Sequence, residues 1–139
     1  MIPDKQFKKL LHSSKGYDSH LNGQEIEPGY KPDFVLRKGN NFLILESENS
    51  SSRKTFVGGM VKAAHYLQGE RKGKLVFVLV PKKNTTAKAI AKHLIPYFNW
   101  IKDKTNLREV YVIEAGQYYA DDCVMELLGA DFNTTALKV

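Results

Sequence analysis

Apolar runs separated by turn-forming residues predict several short β-strands along this chain. Residues 34–36 and 42–45 are two such runs, and Gly39-Asn40 between them favours a tight hairpin turn. Residues 74–80 predict a strand covered on both faces, because residues 75–80 are apolar without alternation. Residues 109–114 predict one more strand. The hairpin is therefore expected to lie within a buried sheet.

Apolar positions at helical spacing predict four helices, and Pro96 is expected to kink the third of them. Residues 14–31 are expected to form a loop, with a short strand at residues 24–27 as one option. The residues beyond 129 are expected to form a loose tail. The predicted helices cover residues 4–13, 53–68, 85–103 and 118–128.

The order of these elements predicts an α/β fold with a mixed central β-sheet flanked by helices. The connection from the second hairpin strand through helix 53–68 to the next strand should be parallel and right-handed. With 139 residues, of which 42% are hydrophobic, the chain is expected to form a single domain over residues 1–139.

Charge and composition narrow the partners that this chain is expected to have. The formal net charge of +6 is compatible with a polyanion such as DNA. No stretch approaches the ~20 apolar residues that would cross a membrane. The single cysteine, Cys123, excludes an intrachain disulfide, and no signal-peptide pattern stands at residues 1–5. These features together favour a cytoplasmic location.

Both strands of the predicted hairpin end in carboxylates. If the turn centres on Gly39-Asn40, Asp33 lies opposite Glu46, and Glu48 is the diagonal neighbour on the same face. Carboxylates in such proximity repel one another and raise each other's pKa. A hard divalent cation would relieve that repulsion. The alternative is a solvated strand end, which the apolar residues on both strand faces disfavour.

The motif Pro32-Asp33, followed after twelve residues by Glu46-Ser47-Glu48, resembles that of the PD-(D/E)xK nuclease superfamily. The resemblance covers residues 25–80 and implies a restriction endonuclease-like fold. Glu48 stands where the superfamily usually has lysine, although some type II restriction endonucleases in it carry Glu-x-Glu. The resemblance implies a Mg²⁺-dependent DNA endonuclease, with Mn²⁺ as a substitute, whose product carries a 5′-phosphate. Asp33, Glu46 and the backbone carbonyl of Ser47 would bind the metal.

Several other residues are candidates for the same site. Glu48 would orient the attacking water as a general base or join a second metal. Lys62 lies where the catalytic lysine has migrated in some families of this superfamily, but it could equally be an ordinary surface lysine. Related nucleases often supply an upstream acid, so Glu25 or Glu27 could fill that role, although a solvated loop is the simpler interpretation. The pair Gly58-Gly59 suggests close approach of a sheet or of a phosphate backbone.

Four basic residues are candidates for contacts with DNA phosphates, or are simply exposed: Arg53, Lys54, Lys82 and Lys83. A homodimer is expected, because small nucleases of this type usually dimerise to reach both strands. Junction resolvases and restriction or phage-encoded nucleases are the competing analogues. A non-catalytic nucleic-acid-binding protein on a decayed nuclease fold is the main alternative, because the lysine is missing at position 48. A small-molecule enzyme using the acidic cluster is a third.

Overall fold

The structure is a computed structural model that describes residues 4–21, 23–120 and 123–139. Six strands form one mixed sheet in the order β1-β2-β3-β4-β5-β8, and β6 pairs with β7. The helices are α1 (Asp4–Lys9), α2 (Arg53–Tyr66), α3 (Ala87–Ile101), α4 (Ala115–Tyr118) and α5 (Ala130–Thr135). The strands are β1 (Asp18–Ser19), β2 (Phe34–Lys38), β3 (Asn41–Glu48), β4 (Lys72–Leu79), β5 (Leu107–Glu114), β6 (Tyr119–Ala120), β7 (Cys123–Val124) and β8 (Leu137–Lys138).

The central hairpin has the predicted register. Lys38 lies opposite Asn41, and Phe34 lies opposite Leu45, so β2 and β3 are antiparallel about the turn. Gly39 occupies the turn with a φ of +59°, a conformation that glycine adopts without strain. β3 then pairs in parallel with β4, and β4 pairs in parallel with β5. The predicted parallel step through α2 is confirmed.

Helices cover both faces of the sheet, as the element order predicted. Because side chains alternate along a strand, every second residue of each strand packs under α2 and α3. The residues between them pack under α1, α4 and α5. Val35, Ile44 and Phe77 lie on the first face, whereas Leu43 and Val76 lie on the second. The runs at the centre of β3 and β4 are buried on both sides, which explains why they lack alternation.

The N-terminal third differs from the sequence-based expectation in three places. Within the expected loop of residues 14–31, β1 pairs with β2. The first helix ends at Lys9 instead of residue 13, because the buried ring of His12 bonds the carbonyl of Phe7 in place of a further helical turn. The strand proposed at residues 24–27 is a turn, in which Ile26 N–H donates to the Tyr30 carbonyl and Gly29 has a φ of +81°.

The C-terminal region was predicted wrongly. Residues 118–128 do not continue as a helix: α4 ends at Tyr118, and the described residues that follow form the β6–β7 pair. The tail beyond 129 is structured, because α5 buries Phe132 and β8 pairs with β5, placing Leu137 opposite Val112. None of the helices in residues 4–21, 23–120 and 123–139 is long and apolar enough to cross a membrane.

Candidate functional site

Asp33 and Glu46 meet at the end of the hairpin, where β2 begins and β3 approaches its carboxyl end. The backbone N–H of Asp33 donates to Oε1 of Glu46 over 3.0 Å. In return, the backbone N–H of Ser47 donates to Oδ2 of Asp33 over 2.8 Å. The two carboxylates are thus fastened to each other's strands. The predicted opposition of residues 33 and 46 is present, since their contact continues the register of the pairs above it.

The pKa of Glu46 is strongly raised. Burial raises its pKa first, and the nearby charge of Asp33 raises it further. The hydrogen bond from Asp33 N–H lowers it, Glu48 raises it, and Lys62 lowers it; the result is a pKa of about 8. Without a cation, Glu46 is therefore largely protonated at neutral pH. A carboxyl group held in that state is poised to ionise when positive charge arrives.

Glu48 lies on the same sheet face as Glu46 but turns towards the following loop. Its Oε1 accepts a hydrogen bond from the backbone N–H of Ser50 over 2.8 Å. In the ranges that the structure describes, no three His, Cys, Asp or Glu side chains form a ready-made group for a metal ion. Backbone hydrogen bonds thus hold two of the three expected carboxylates together, and Glu48 acts on Glu46 through its charge.

The donor set fits Mg²⁺ on chemical grounds. Magnesium is usually held by one or two carboxylates and keeps several waters, so it does not need a cage of three acids. Asp33 and Glu46 supply two partly buried carboxylates, and the backbone of Ser47 adjoins both. A bound cation stabilises ionised carboxyl groups most where they are poorly solvated.

Two lysines reach this pair from different helices. Lys62 on α2 donates to the carbonyl of Gly29 over 3.1 Å, and its charge acts on Glu46. Lys8 on α1 places its Nζ 4.0 Å from Oδ1 of Asp33. The stem of Lys8 passes Gly23, where an added Cβ would come within 3.3 Å of Lys8 Cδ. The sequence around Lys8 gives no indication of this contact, because it joins segments that are far apart along the chain.

The two candidate upstream acids take different positions. Glu25 is exposed, whereas Oε2 of Glu27 lies 2.7 Å from Nδ1 of His65 on α2. Glu27 therefore fastens the turn at residues 26–30 to the helix. His65, which lies one helical turn from Lys62 on α2, is the partner in that contact.

Tyr30 belongs to the site, although sequence reasoning did not single it out. Its side chain is buried, and its hydroxyl has no hydrogen-bond partner among the residues that the structure describes. Burial raises the pKa of Tyr30 well above its ordinary value, and the charges of Glu46, Glu27 and Asp33 raise it further. The one signal in the sequence was its position shortly before Asp33.

Gly59 lets α2 approach the sheet beside Glu46. A Cβ at this position would lie 3.2 Å from the ring of Phe77 and 4.0 Å from Oε2 of Glu46. A Cβ at Gly58 would meet nothing within 4 Å. Of the two explanations that the glycine pair suggested, approach of the sheet accounts for Gly59.

Basic residues lie at the same edge of the sheet as the carboxylates. Because β3 and β4 are parallel and Glu48 lies opposite Leu79, the carboxyl ends of both strands meet there. Arg53, at the start of α2, donates to the carbonyl of Asn84 over 2.6 Å and so holds the turn after β4. The other members of the predicted DNA-binding set are exposed around this edge: Lys54, Lys82 and Lys83.

The fold and the site define an α/β protein with a six-stranded mixed sheet and a carboxylate pair at the carboxyl end of a central strand. No protein-family model matches the chain, and no curated protein matches it. A solved structure that matches is that of Pyrococcus furiosus SfsA in complex with Ca²⁺, with 10% sequence identity and a TM-score of 0.40. The match covers 89% of this chain, which spans 53% of the length of SfsA. At that TM-score it carries no inference about the site.

Proposed function

We propose that this protein is a metal-dependent endonuclease that hydrolyses phosphodiester bonds in DNA, on a restriction endonuclease-like fold. One observation carries the proposal: Asp33 and Glu46 are bound to each other's strands at the carboxyl end of the central hairpin. Two acids held together in a partly buried place are costly to the fold unless they serve a cation. The motif that contains them supplies the reaction class.

In this proposal Asp33 and Glu46 hold Mg²⁺, for which Mn²⁺ can substitute, and the carbonyl of Ser47 is a further ligand. When bound, the ion supplies a water of lowered pKa and polarises the scissile phosphate. Glu48, beside the pair, orients the attacking water. Lys62 and Lys8 offset the negative charge that grows on the phosphate. The family resemblance implies that the product carries a 5′-phosphate.

The basic edge around the pair supports DNA as the substrate. Lys54, Lys82 and Lys83 are exposed there, and the net charge of the chain is +6. Arg53 contributes by holding the turn that carries two of these lysines, and its partly exposed guanidinium is still a candidate phosphate contact. Binding through such contacts weakens steeply as salt rises, because counterions are released from the phosphates.

The second candidate is a non-catalytic nucleic-acid-binding protein on the same fold. Two observations favour it: glutamate replaces the usual lysine at position 48, and the carboxylate of Glu48 bonds Ser50 N–H instead of joining the pair. The basic edge would serve this function equally well. Only the requirement for the carboxylate pair separates the two candidates.

Cleavage of supercoiled plasmid, linear duplex and a four-way junction with Mg²⁺, with Mn²⁺ or with EDTA tests the proposal. We expect cutting with either metal, no cutting in EDTA, and loss of cutting in Asp33→Asn and Glu46→Gln. Glu70→Gln is the matched control, since Glu70 is an exposed carboxylate in the turn after α2. Salt-sensitive DNA binding without cleavage of any form would favour the binding protein.

A homodimer is part of the proposal, because one copy of the pair acts on one strand at a time. Sedimentation velocity of the protein alone and with junction DNA measures the stoichiometry. A monomer that nicks one strand would remove the dimer from the proposal and leave the chemistry in place.

A further inference from the structure

Unsatisfied buried polar atoms occur in the chain segments that flank the carboxylate pair in sequence. Across residues 4–21, 23–120 and 123–139, two buried side-chain atoms lack a hydrogen-bond partner: the hydroxyl of Tyr30 and Oδ1 of Asn49. Tyr30 shortly precedes Asp33, and Asn49 directly follows Glu48. Buried polar groups are nearly always hydrogen-bonded, so an unpaired one indicates a missing ion, water or functional partner.

The position of Tyr30 is tightly held. Its backbone closes the turn at residues 26–30, where Tyr30 N–H donates to the carbonyl of Glu27. Two contacts fasten that turn to α2, one from Lys62 to Gly29 and one between His65 and Glu27. The side chain is 3% exposed and packs in the core under α2 and α3. The hydroxyl therefore cannot find a partner by swinging into solvent.

Glu46 is the natural acceptor for this hydroxyl. Both residues lie under α2, because Tyr30 packs in the core there and a Cβ at Gly59 would stand 4.0 Å from Oε2 of Glu46. Of the charges that raise the pKa of Tyr30, that of Glu46 has the largest effect. Glu46 accepts from Asp33 N–H through Oε1, while its Oε2 is the oxygen directed towards Gly59. A carboxylate accepts several hydrogen bonds, and a phenol is a good donor to it.

We propose that Tyr30 is a positioning residue for Glu46: its hydroxyl donates to the Glu46 carboxylate when the site holds its cation. This inference rests on the proposed function. Residues that hydrogen-bond a metal-ligating carboxylate fix its orientation, and their loss typically weakens metal affinity 10- to 100-fold. In this role the missing bond of Tyr30 is supplied by the loaded site.

The test is Tyr30→Phe, which removes one oxygen and keeps the ring. Binding of Mn²⁺ alone, followed by the EPR signal of the free ion, should weaken by 10-fold or more. The metal-free variant should melt at the same temperature as the wild type or higher, because it loses an unpaired buried hydroxyl. In cleavage assays kcat should fall, while KM for DNA stays unchanged. Tyr66→Phe is the matched control, since Tyr66 is buried in the same core.

Equal Mn²⁺ affinity in Tyr30→Phe and the wild type would overturn the inference, provided that Asp33→Asn abolishes binding. The proposed function would then stand without Tyr30. If the wild type binds no Mn²⁺, or if Asp33→Asn and Glu46→Gln leave binding intact, the proposed function fails and the role of Tyr30 fails with it. A similar loss of affinity in Tyr66→Phe would also overturn the inference, because it would show a general effect on the core.

Discussion

A hydrogen bond from backbone to side chain joins Asp33 to Glu46: the N–H of Asp33 donates to Glu46 Oε1 over 3.0 Å. The reciprocal bond runs from the N–H of Ser47 to Asp33 Oδ2 over 2.8 Å. The pair is therefore held by the register of the hairpin as well as by rotamers. A slip of one residue between the two strands would put the two carboxyl groups on opposite sheet faces and destroy the pair.

We expect Glu46→Gln to stabilise the metal-free protein at alkaline pH. Burial, with the charge of Asp33, raises the pKa of Glu46 to about 8 from an ordinary value of 4.5. The unfolded chain therefore releases this proton at lower pH than the folded chain, so wild-type stability falls as pH rises from 4.5 to 8. Glutamine keeps an acceptor for Asp33 N–H and has no charge to desolvate.

The measurement is urea unfolding in EDTA from pH 5 to pH 8.5. The variant should exceed the wild type by on the order of 2 kcal/mol at pH 8, after allowance for the partial exposure of the site, and the difference should shrink towards pH 5. Asp103→Asn, at an exposed position after α3, should show no such pH-dependent gain. Parallel stability curves for Glu46→Gln and the wild type would contradict the raised pKa.

The hairpin and its acids could be predicted because local signals specify them. A turn pair at Gly39-Asn40 and apolar runs on either side leave one register that buries both strands, and that register brings Asp33 to Glu46. The parallel order of β3, β4 and β5 followed from long helical segments between apolar strands.

The contacts that sequence reasoning missed join distant segments. Lys8 reaches Asp33 from the first helix, and nothing in the residues around either position announces it. The region after β5 is divided into short elements whose stability comes from burial of Leu127 and Phe132, and Leu128 has a φ of +63°. Intrinsic helix and strand propensities contribute little free energy in elements of two to six residues, so tertiary packing decides their conformation.

We expect His12 to titrate near pH 4 and to destabilise the fold in acid. Burial lowers its pKa to about 4, against a smaller opposing effect of the hydrogen bond to the Phe7 carbonyl. Because the unfolded chain takes up this proton at an ordinary pKa of 6.5, the stability that neutral His12 gives is lost as pH falls from 6.5 to 4. The full loss is ~3 kcal/mol for such a shift.

The His12 ring protons, followed by NMR, report the pKa directly. Urea unfolding is best done in the Glu46→Gln background, because Glu46 changes stability in the opposite direction over part of this range. Adding His12→Asn should remove the slope between pH 6.5 and 4. A midpoint near 6.5 for the His12 ring would show that the ring is solvated and would rule out this account.

The carboxylate of Glu109 should hold the C-terminal strand to the sheet. It lies 2.8 Å from Nζ of Lys74 and 2.7 Å from Nζ of Lys138, and it accepts from the Tyr111 hydroxyl. Burial alone would raise its pKa, but the hydrogen bonds from Lys138, Lys74 and Tyr111 outweigh burial and lower the pKa to about 2. Its contribution is therefore complete above pH 4.5 and is lost as pH falls through 2.

Glu109→Gln should cost about 1 kcal/mol at pH 7, since Lys138 is mostly exposed and its charge is screened. The difference from the wild type should vanish near pH 2. Hydrogen exchange of the Val139 N–H, which donates to the Val110 carbonyl, should quicken in the variant more than exchange within β4. Uniform exchange rates in the variant and the wild type would show that β8 is held by its other contacts.

Two neighbouring glycines of α2 should respond differently to alanine. Gly58→Ala adds a methyl group that meets nothing within 4 Å, so the gain in helix propensity, ~1 kcal/mol, should appear in full. Gly59→Ala places its methyl group 3.2 Å from the Phe77 ring, which must shift before the same gain is realised. Because Glu46 Oε2 lies 4.0 Å from that methyl group, displacement of α2 would also disturb the carboxylate pair.

Urea unfolding and Mn²⁺ affinity of both variants test this: Gly58→Ala should gain stability and keep affinity, whereas Gly59→Ala should gain less stability and bind Mn²⁺ more weakly. Equal behaviour of the two variants would mean that α2 has room to spare beside Glu46.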